Sequence, residues 1–274
     1  MSRFLILALA LPLSLAACSD SSTPESAPET VAKAAPAPAS AQTETAPEAP
    51  ALASAELAEL IRTMEPQVAR NGGLRFSDQN LVQPAAAPLL LARLQSGADS
   101  EAIRSALIIA LPQTQGEYAA EAVALLKNER SEMLRAALVD SLRLAGDSKA
   151  ALEGLALGMV DSAPAVRTRA AFAIGRRADG LDLSNLLVAA LSDSNVELQA
   201  TAARALGNLG AVKTFDSLAP LTQSRDADVR LESLRALGRV DADRAAALPE
   251  LAKLAQDSDE RIRTAATKVA NKAY

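Results

Sequence analysis

The side chains that could do chemistry in this sequence are few. There is no His and no Trp, and Cys18 is the only cysteine. Nucleophile–base pairs through His, zinc sites with His or Cys ligands, and haem attachment therefore lack their residues. Acidic pairs such as Asp226 with Asp228 remain, but they stand at predicted helix starts, where carboxylates accept from free N–H groups. The sequence predicts no enzyme, no catalytic residue, no cofactor and no metal site.

Cys18 is the one residue with a defined chemical assignment. Before it come Arg3 and the apolar run Phe4 to Leu11, which together predict a signal peptide over residues 1–17. The run Leu15-Ala16-Ala17-Cys18 resembles a bacterial lipobox. That resemblance implies cleavage before Cys18 and a diacylglyceryl thioether on its sulfur, which would anchor the chain to a membrane. The alternative is an ordinary signal peptide with an incidental cysteine.

The residues after Cys18 predict where such an anchored protein goes. Ser19 follows the cysteine, at the position where an Asp would imply retention in the inner membrane. The resemblance therefore implies the periplasmic face of the outer membrane, with the inner membrane as the less favoured site. Residues 18–53 are mostly Ser, Thr, Pro, Glu and Ala, with five acids and one lysine. Such a segment buries too little apolar surface to fold, so we expect a disordered tether.

The remainder of the chain is organised by a repeat of about 32 residues. An anchor residue is followed by small or apolar residues at offsets of four, seven and eight, which is one face of an α-helix, helix A. Six anchors share this pattern, at intervals of 31 to 33 residues: Ile103, Leu134, Val166, Leu198, Val229 and Ile262. Gly175, Gly207 and Gly238 are expected to end their helices in the left-handed conformation. A second apolar stripe after each predicts helix B.

Neither helix of such a pair can bury its stripe alone, so the hairpins must stack into a continuous core. The runs Asp161 to Gly175 and Asp193 to Gly207 resemble HEAT repeats, and most closely the short type found in phycobilin lyase subunits. The expected fold is all-α, a right-handed α-solenoid of stacked helical hairpins. Residues 98–274 would hold six A helices, with the last repeat incomplete. Residues 54–97 would form an atypical N-terminal helical cap.

The resemblance also implies a polar ladder formed by the arginine that follows each anchor. These residues are Arg104, Arg135, Arg167, Arg230 and Arg263, and Gln199 interrupts the series. An acid stands five residues before four of the anchors: Glu129, Asp161, Asp193 and Asp257. Within the cap, residues 66–83 fit no repeat. They predict either a short extra helix and turn or a functional loop.

The function expected from this pattern is a non-enzymatic scaffold that binds envelope proteins. In HEAT-like solenoids the B helices line the concave face, so the polar side chains of the B helices are the candidate protein-binding residues. They are Glu117, Glu121, Asp182, Asn185, Lys213, Asp216, Glu250 and Lys253. Two alternatives stay open: a lyase-like accessory protein that handles a small-molecule cofactor, and a purely structural envelope spacer. Balanced charge outside the tether argues against nucleic acid as a partner.

Overall fold

The computed structural model describes residues 54–69 and 74–274. The predictions for the signal peptide, for Cys18 and for the tether fall outside these ranges. Within them the chain is an all-α solenoid, as the repeat pattern predicted. No helix in these two ranges is both long and apolar enough to cross a lipid bilayer.

The N-terminal cap has two helices, α1 (Ser54–Thr63) and α2 (Ala86–Ser96). Between them lie two short antiparallel strands, β1 (Gln67–Val68) and β2 (Leu74–Arg75), and a 3₁₀ turn at Gln79–Leu81. Of the extra helix and turn that were one alternative for residues 66–83, the structure has only this 3₁₀ turn, whereas the other alternative, a functional loop, stays a prediction. The two strands are only two residues long each, too short to produce a period-2 pattern in the sequence.

Arg93 ties the cap to the first repeat. Its guanidinium donates to the backbone oxygens of Ile61 and Met64, lies 5.6 Å from the centre of the Phe76 ring, and forms a two-bond ion pair with Asp99. The end of α1, the strand that leads into Phe76 and the loop before the first A helix are thereby held by one side chain. The cap is part of the same packed structure as the repeats.

The A helices form one continuous layer. Each apolar stripe is buried, and the anchors from Leu134 onward are completely inaccessible to solvent. Most begin at a side-chain cap, as at Ser131 and Asn195, which accept from the N–H group three residues on. The A helices are α3 (Glu101–Ala110), α5 (Glu132–Leu142), α7 (Pro164–Ile174), α9 (Val196–Asn208), α11 (Ala227–Val240) and α14 (Glu260–Ala270).

The B helices of the later repeats are shorter than those of the first two. They are α4 (Ala119–Asn128), α6 (Ser148–Met159), α8 (Ser184–Ala190), α10 (Phe215–Leu218), and the pair α12 (Ala242–Ala246) and α13 (Leu251–Leu254). Two prolines mark the shortest ones: Pro220 opens the 3₁₀ segment Ala219–Gln223, and Pro249 precedes α13. Proline has no N–H group to donate, so neither site can lie inside a long α-helix.

The repeated glycines do not end their helices in the left-handed conformation, and that prediction is wrong. Gly175 has a φ of −66°, while Gly207 and Gly238 lie inside α9 and α11. Among the described glycines, those with positive φ are Gly97, which follows α2, and Gly210.

The repeated glycines instead allow adjacent A helices to approach closely. A Cβ atom on Gly207 would lie 2.7 Å from the Cα of Ala236, and one on Gly175 would lie 2.6 Å from the Cβ of Ala205. Real Cβ atoms do not approach other heavy atoms so closely, so the contact requires glycine on one helix and alanine on the next. The Gly–Ala contact sets the spacing between α7 and α9 and between α9 and α11.

Candidate protein-binding surface

The arginine ladder joins successive repeats through Arg104, Arg135, Arg167 and Arg230, whereas Arg263 donates to the backbone oxygens of Asp257 and Ser258 in its own repeat. Arg135 donates through Nε and Nη2 to the carboxylate of Asp161 at 2.7 and 2.9 Å, and through Nη1 to the backbone oxygen of Arg130. The same arrangement links Arg167 to Asp193 and Arg230 to Asp257, while Arg104 makes one ion pair, with Glu129. Each acid thus comes from the repeat that follows its arginine.

The acids of the ladder also organise the turn that precedes their own helix A. Asp193 accepts from the backbone N–H of Asn195, and Asp257 accepts from that of Asp259. Hydrogen bonds from Arg167 and from Arg230 hold the pKa of Asp193 and of Asp257 below the usual value of an aspartate. These residues are occupied in structural ion pairs, so the ladder is not a surface for a partner.

The ladder is interrupted at Gln199. Here both the arginine and the acid of the ion pair are replaced by neutral residues. Gln199 keeps the bond inside its own repeat, because its side-chain nitrogen donates to the backbone oxygen of Asp193 at 2.6 Å. The position five residues before Val229, where the acid would stand, holds Ser224, which accepts from the N–H of Asp226. A neutral pair replaces a charged pair, and no buried charge is left alone.

The candidate residues on the B helices are distributed over four separate hairpins. Glu117 and Glu121 lie at the start of α4, Asp182 and Asn185 at the start of α8, Lys213 and Asp216 around the start of α10, and Glu250 and Lys253 at α13. All are exposed except Glu250, which is half-buried. Among the described residues, no hydrogen bond or ion pair connects one of these four pairs to another.

Two of these candidates have partners inside the protein. Asp216 forms an ion pair with Arg244 at 2.6 Å, and Glu250 accepts from the hydroxyl of Thr222 at 3.2 Å. Glu250 and Lys253 line a small groove of about 210 Å³, which also contains the Arg230–Asp257 ion pair. A role of the eight residues in binding stays a prediction, but the structure does not gather them into one site.

A larger groove lies on the exposed face of the A helices. Its first part has a volume of about 480 Å³ and runs across α3, α5 and the start of the next turn. Ile109, Met133 and Leu144 line it, and each is about half exposed to solvent, at 50%, 47% and 57%. We call this part the apolar groove. Exposed large apolar side chains that share one groove are typical of surfaces that bind other molecules.

Two further grooves continue from it along the same face. The arginine groove, of about 250 Å³, lies between α7 and α9 and is lined by Thr168, Arg169, Phe172 and Arg204 among others. The charged groove, of about 390 Å³, lies across α9, α11 and α14. Arg169 lines both the apolar and the arginine groove, and Arg204 lines both the arginine and the charged groove. The three grooves are therefore adjacent and share lining residues, and we call them together the A-face groove.

The arginine groove differs electrostatically from its neighbours. Within the described ranges, Arg169 and Arg204 have no ion-pair or hydrogen-bond partner, in contrast to the ladder arginines. The Oγ1 atom of Thr168 is buried beside them and also lacks a partner. Glu197 is the acidic residue in the lining. With two guanidinium groups and one carboxylate, this part of the surface carries excess positive charge.

At its α11–α14 end, the charged groove has its charges paired within the protein. Arg261 forms ion pairs with Asp228 at 2.9 Å and with Asp259 at 2.7 Å. The hydrogen bond from Arg261 lowers the pKa of Asp259 to about 2. In the described residues, no group of three or more His, Cys, Asp or Glu side chains could hold a metal ion. Around Arg261 the surface is therefore polar with its charges in ion pairs, whereas Arg204 and Glu197, at the border with the arginine groove, make no ion pair in the described ranges.

The A-face groove was not apparent from the sequence, because most residues that line the groove lie between the positions that define the repeat. Signals for it are nevertheless visible in the sequence. Met133 is a large apolar residue directly before an anchor, and Ile109 lies six positions after one, where a helix A would face solvent. Arg169 and Arg204 lie outside the ladder positions. An apolar residue or an arginine that the core and the ladder do not use is the kind of residue left for binding.

Comparison with known proteins places the fold. The family model described as HEAT repeats matches residues 151–238 and 215–273. The CpcE–CpcF complex of phycocyanin lyase from Nostoc sp. is similar in structure, with a TM-score of 0.52 and 20% identity over 76% of this chain and 80% of that chain. A designed armadillo repeat protein has a TM-score of 0.50 and 18% identity over 69% of this chain and 100% of its own.

An engineered protein is similar at a TM-score of 0.51 and 18% identity, over 80% of this chain and 68% of its own. No curated protein matches the sequence significantly. At such identities the likeness to solved structures shows the fold alone.

Proposed function

We infer that this chain, a HEAT-like repeat protein, is a non-enzymatic scaffold that holds another polypeptide in its A-face groove. The observation that carries the proposal is the series of adjacent grooves across the repeats, with an exposed apolar part at one end. A stack of helices offers an extended surface of this kind rather than an enclosed cavity. Polypeptide is the ligand that matches a long surface with apolar and polar sections.

The apolar groove would supply most of the binding energy. Ile109, Met133 and Leu144 come from successive helices and turns, and together they present apolar surface that the protein itself leaves uncovered. Covering such surface is favourable by about 25 cal/mol per Å² of apolar area. Methionine adapts its shape to different partners, so Met133 suits the centre of a binding groove.

The scaffold would act at a membrane surface. This part of the proposal rests on Cys18 and on the lipobox resemblance: acylation of Cys18 would anchor the chain, and the tether would hold the repeats away from the periplasmic face of the outer membrane. Cys18→Ala should then abolish lipidation and shift the protein from the detergent phase to the aqueous phase of a phase-partition extraction. Partition of the unaltered mature protein into the aqueous phase would contradict the anchor.

The experiment that tests the scaffold is crosslinking in intact cells, with recovery through the C-terminus. The test variant is Ile109→Ser with Met133→Ser, which removes apolar surface from the groove. The matched control is Val160→Ser with Leu181→Ser, which removes exposed apolar side chains outside the A-face groove. We expect a stoichiometric protein partner with the wild type and with the control, and a loss of that partner with the test variant.

Two results would contradict the scaffold. If no protein is recovered in stoichiometric amount, the envelope-spacer alternative is favoured, because a spacer needs the tether and the rigid stack but no groove. If the test variant retains its partner, the binding surface lies elsewhere, and the B-helix residues named above become the next candidates.

The structural similarity to a phycocyanin lyase complex supports one alternative to the scaffold. In this alternative the protein is an accessory protein that handles a small-molecule cofactor. The aromatic side chains of the described residues argue against it. Arginines lie against Phe76, Phe172, Phe215 and Tyr274, and Tyr118 is buried. Few aromatic faces are left to stack on a pigment. Copurification of a coloured or small-molecule cargo would favour this alternative over the scaffold.

A further inference from the structure

The proposed scaffold leaves open which polypeptide it selects, and the arginine groove contains the chemistry for one choice. We propose that Arg169 and Arg204 bind the carboxylate of an Asp or Glu side chain in the bound segment, while an apolar side chain of the same segment fills the adjacent apolar groove. This inference rests on the proposed function, since it names the feature by which the scaffold recognises its partner.

The first observation is the unused state of the two guanidinium groups. In the ladder, the arginine fork is filled by a carboxylate from the next repeat, with two hydrogen bonds in Arg135, Arg167 and Arg230. In the described ranges Arg169 and Arg204 have no such partner, although they line a groove together. The planar fork of arginine matches the two oxygens of a carboxylate. The groove therefore presents two unfilled sites for the ligand that this protein already uses elsewhere.

The second observation is the hydroxyl of Thr168. Its Oγ1 atom is buried without a hydrogen-bond partner and belongs to a residue that lines the same groove. Buried hydroxyls without a partner are rare in native proteins and call for an explanation. Because this Oγ1 is inaccessible as it stands, it would donate to an acceptor oxygen seated beside the two arginines only after the Thr168 side chain rotates toward the groove. A carboxylate supplies that oxygen, whereas a lysine or arginine from a partner would not.

The charges around the groove favour an anion over a cation. Glu197 is the carboxylate of the lining, and it makes no ion pair in the described ranges. Asp140, which lines the apolar groove, is half-buried and lies 3.6 Å from Arg143. Two guanidinium groups thus face one free carboxylate. A bound acid would reduce repulsion between Arg169 and Arg204, while a bound base would increase it.

The position of Arg169 determines how the acid and the apolar side chain are arranged in the bound segment. Arg169 lines both the apolar groove and the arginine groove, so it stands at their boundary. A carboxylate bound there lies directly beside the apolar surface of Met133 and its neighbours. The recognised feature is therefore a short segment in which a large apolar residue and an acid are close together.

The test uses the full-length protein in detergent and a displayed library of short random peptides as the probe. Peptides enriched on the wild type are synthesised, and their affinity is measured by fluorescence anisotropy. The test variant is Arg169→Glu with Arg204→Glu. The matched control is Arg130→Glu with Arg225→Glu, because these arginines are exposed, make no side-chain ion pair in the described ranges and lie outside the A-face groove.

We expect the enriched peptides to pair an acid with a large apolar residue. Their affinity should fall at least tenfold on the test variant, since charge reversal places like charges together, and should stay within about twofold on the control. A peptide in which the acid is changed to lysine should bind the test variant better than it binds the wild type. Such a gain of binding by the lysine peptide would assign the contact to Arg169 and Arg204. An unfolded variant could not bind this peptide better than the wild type does.

Three results would overturn the inference. Enriched peptides without acids, or with affinity unchanged on the test variant, would leave the scaffold in place but remove the carboxylate site. Displacement of the peptide by inorganic phosphate at millimolar concentration would show a site for a free anion instead. Failure to enrich any peptide would contradict the proposed function itself, and the carboxylate site would fall with it.

Discussion

The A helices and the B helices of this chain pack in different ways. The A helices run for 10 to 14 residues, contact each other through Gly–Ala pairs and are joined across repeats by the arginine ladder. The B helices shorten from 12 residues in α6 to four in α10 and α13, and short 3₁₀ segments take up part of their length. The layer with the stricter packing is also the layer that carries the groove.

The difference indicates how a repeat protein can combine a fixed frame with a variable surface. Close packing constrains the A helices on the sides that face other helices, whereas their exposed face is left to differ from repeat to repeat. At the position six residues after the anchor, α3, α5, α7 and α9 carry Ile109, Asp140, Phe172 and Arg204 in turn. A rigid layer holds such side chains at fixed spacing, which favours binding that is specific.

The largest expected effect comes from variants that remove a core side chain from each of the two layers. Leu206 is fully buried in α9, and Leu206→Ala should lower the free energy of unfolding by about 2–5 kcal/mol, because it leaves a cavity in a layer that cannot collapse. Leu187 of α8 is equally buried, and Leu187→Ala should cost less than half as much, because the shorter B helices can move to fill the cavity. Urea unfolding followed by circular dichroism measures both.

Equal costs for the two variants would show that both layers are packed with the same strictness, against the comparison. A larger loss for Leu187→Ala would show that the B layer is the more strictly packed of the two.

A second test adds an atom instead of removing one. Gly207→Ala places a Cβ 2.7 Å from the Cα of Ala236, so α9 and α11 must move apart, at a cost of about 1–3 kcal/mol. The control is Gly146→Ala, where the nearest atom is 3.8 Å away, on the side chain of Glu117. We expect the control to change the midpoint of thermal unfolding little.

Stability of Gly207→Ala equal to the wild type would show that the A layer can shift to admit the extra atom. The close approach of the helices would then be incidental rather than required.

Sequence analysis predicted the A layer well and the B layer less well, for physical reasons. The anchors recur at a constant interval because each must fill the same space, and that regularity is visible without a structure. The B helices have looser constraints, so Pro220 and Pro249 could enter them and the pattern blurred. The wrong prediction for the repeated glycines has a related cause. A glycine near the end of a predicted helix is compatible both with a left-handed backbone conformation and with a close contact between helices. Only the position of the neighbouring Ala236 distinguishes these two roles.

The groove was less predictable than the fold. Ile109 and Met133 reveal themselves as surface residues only when the helix faces are known, since in the sequence they add to the apolar content of an alanine-rich chain. The unpaired state of Arg169 and Arg204 depends on distances across repeats. The ladder could be inferred because its spacing recurs, whereas a binding site occurs once and leaves no period to detect.

A third test restores the missing member of the ladder. Gln199→Arg with Ser224→Asp recreates the pair found at Arg167 and Asp193, and should raise the free energy of unfolding by about 0–1 kcal/mol at neutral pH. The bonds from arginine lower the pKa of such an acid in the folded state, as in Asp257. The added stability is therefore complete above the ordinary aspartate pKa of 3.8 and is lost as the pH falls below it.

Urea unfolding at neutral pH and at about pH 3 measures this difference. The single variants serve as controls, since each adds a charge without its partner and should be no more stable than the wild type. A gain that is the same at both pH values would show that the new pair does not work through the ionised carboxylate.

The smallest expected effect concerns the exposed residues of the B layer. Glu117→Gln, Glu121→Gln and Asp182→Asn together remove three negative charges from side chains that are exposed and make no ion pair in the described ranges. Each change should alter stability by no more than about 0.5 kcal/mol. Glu250→Gln is made separately, because Glu250 is half-buried and accepts from Thr222, so its removal mixes a structural effect with any effect on binding.

The triple variant decides which layer carries the binding surface. If the A-face groove holds the partner, the triple variant should crosslink to it in intact cells at the yield of the wild type, while Ile109→Ser with Met133→Ser should not. If the B helices bind, as their polar residues first indicated, the triple variant should lose the partner with its thermal midpoint unchanged. Because the three changes leave the packing of both layers intact, a lost partner could only reflect a lost contact. A scaffold whose rigid layer carries the groove therefore requires full retention of the partner by the triple variant.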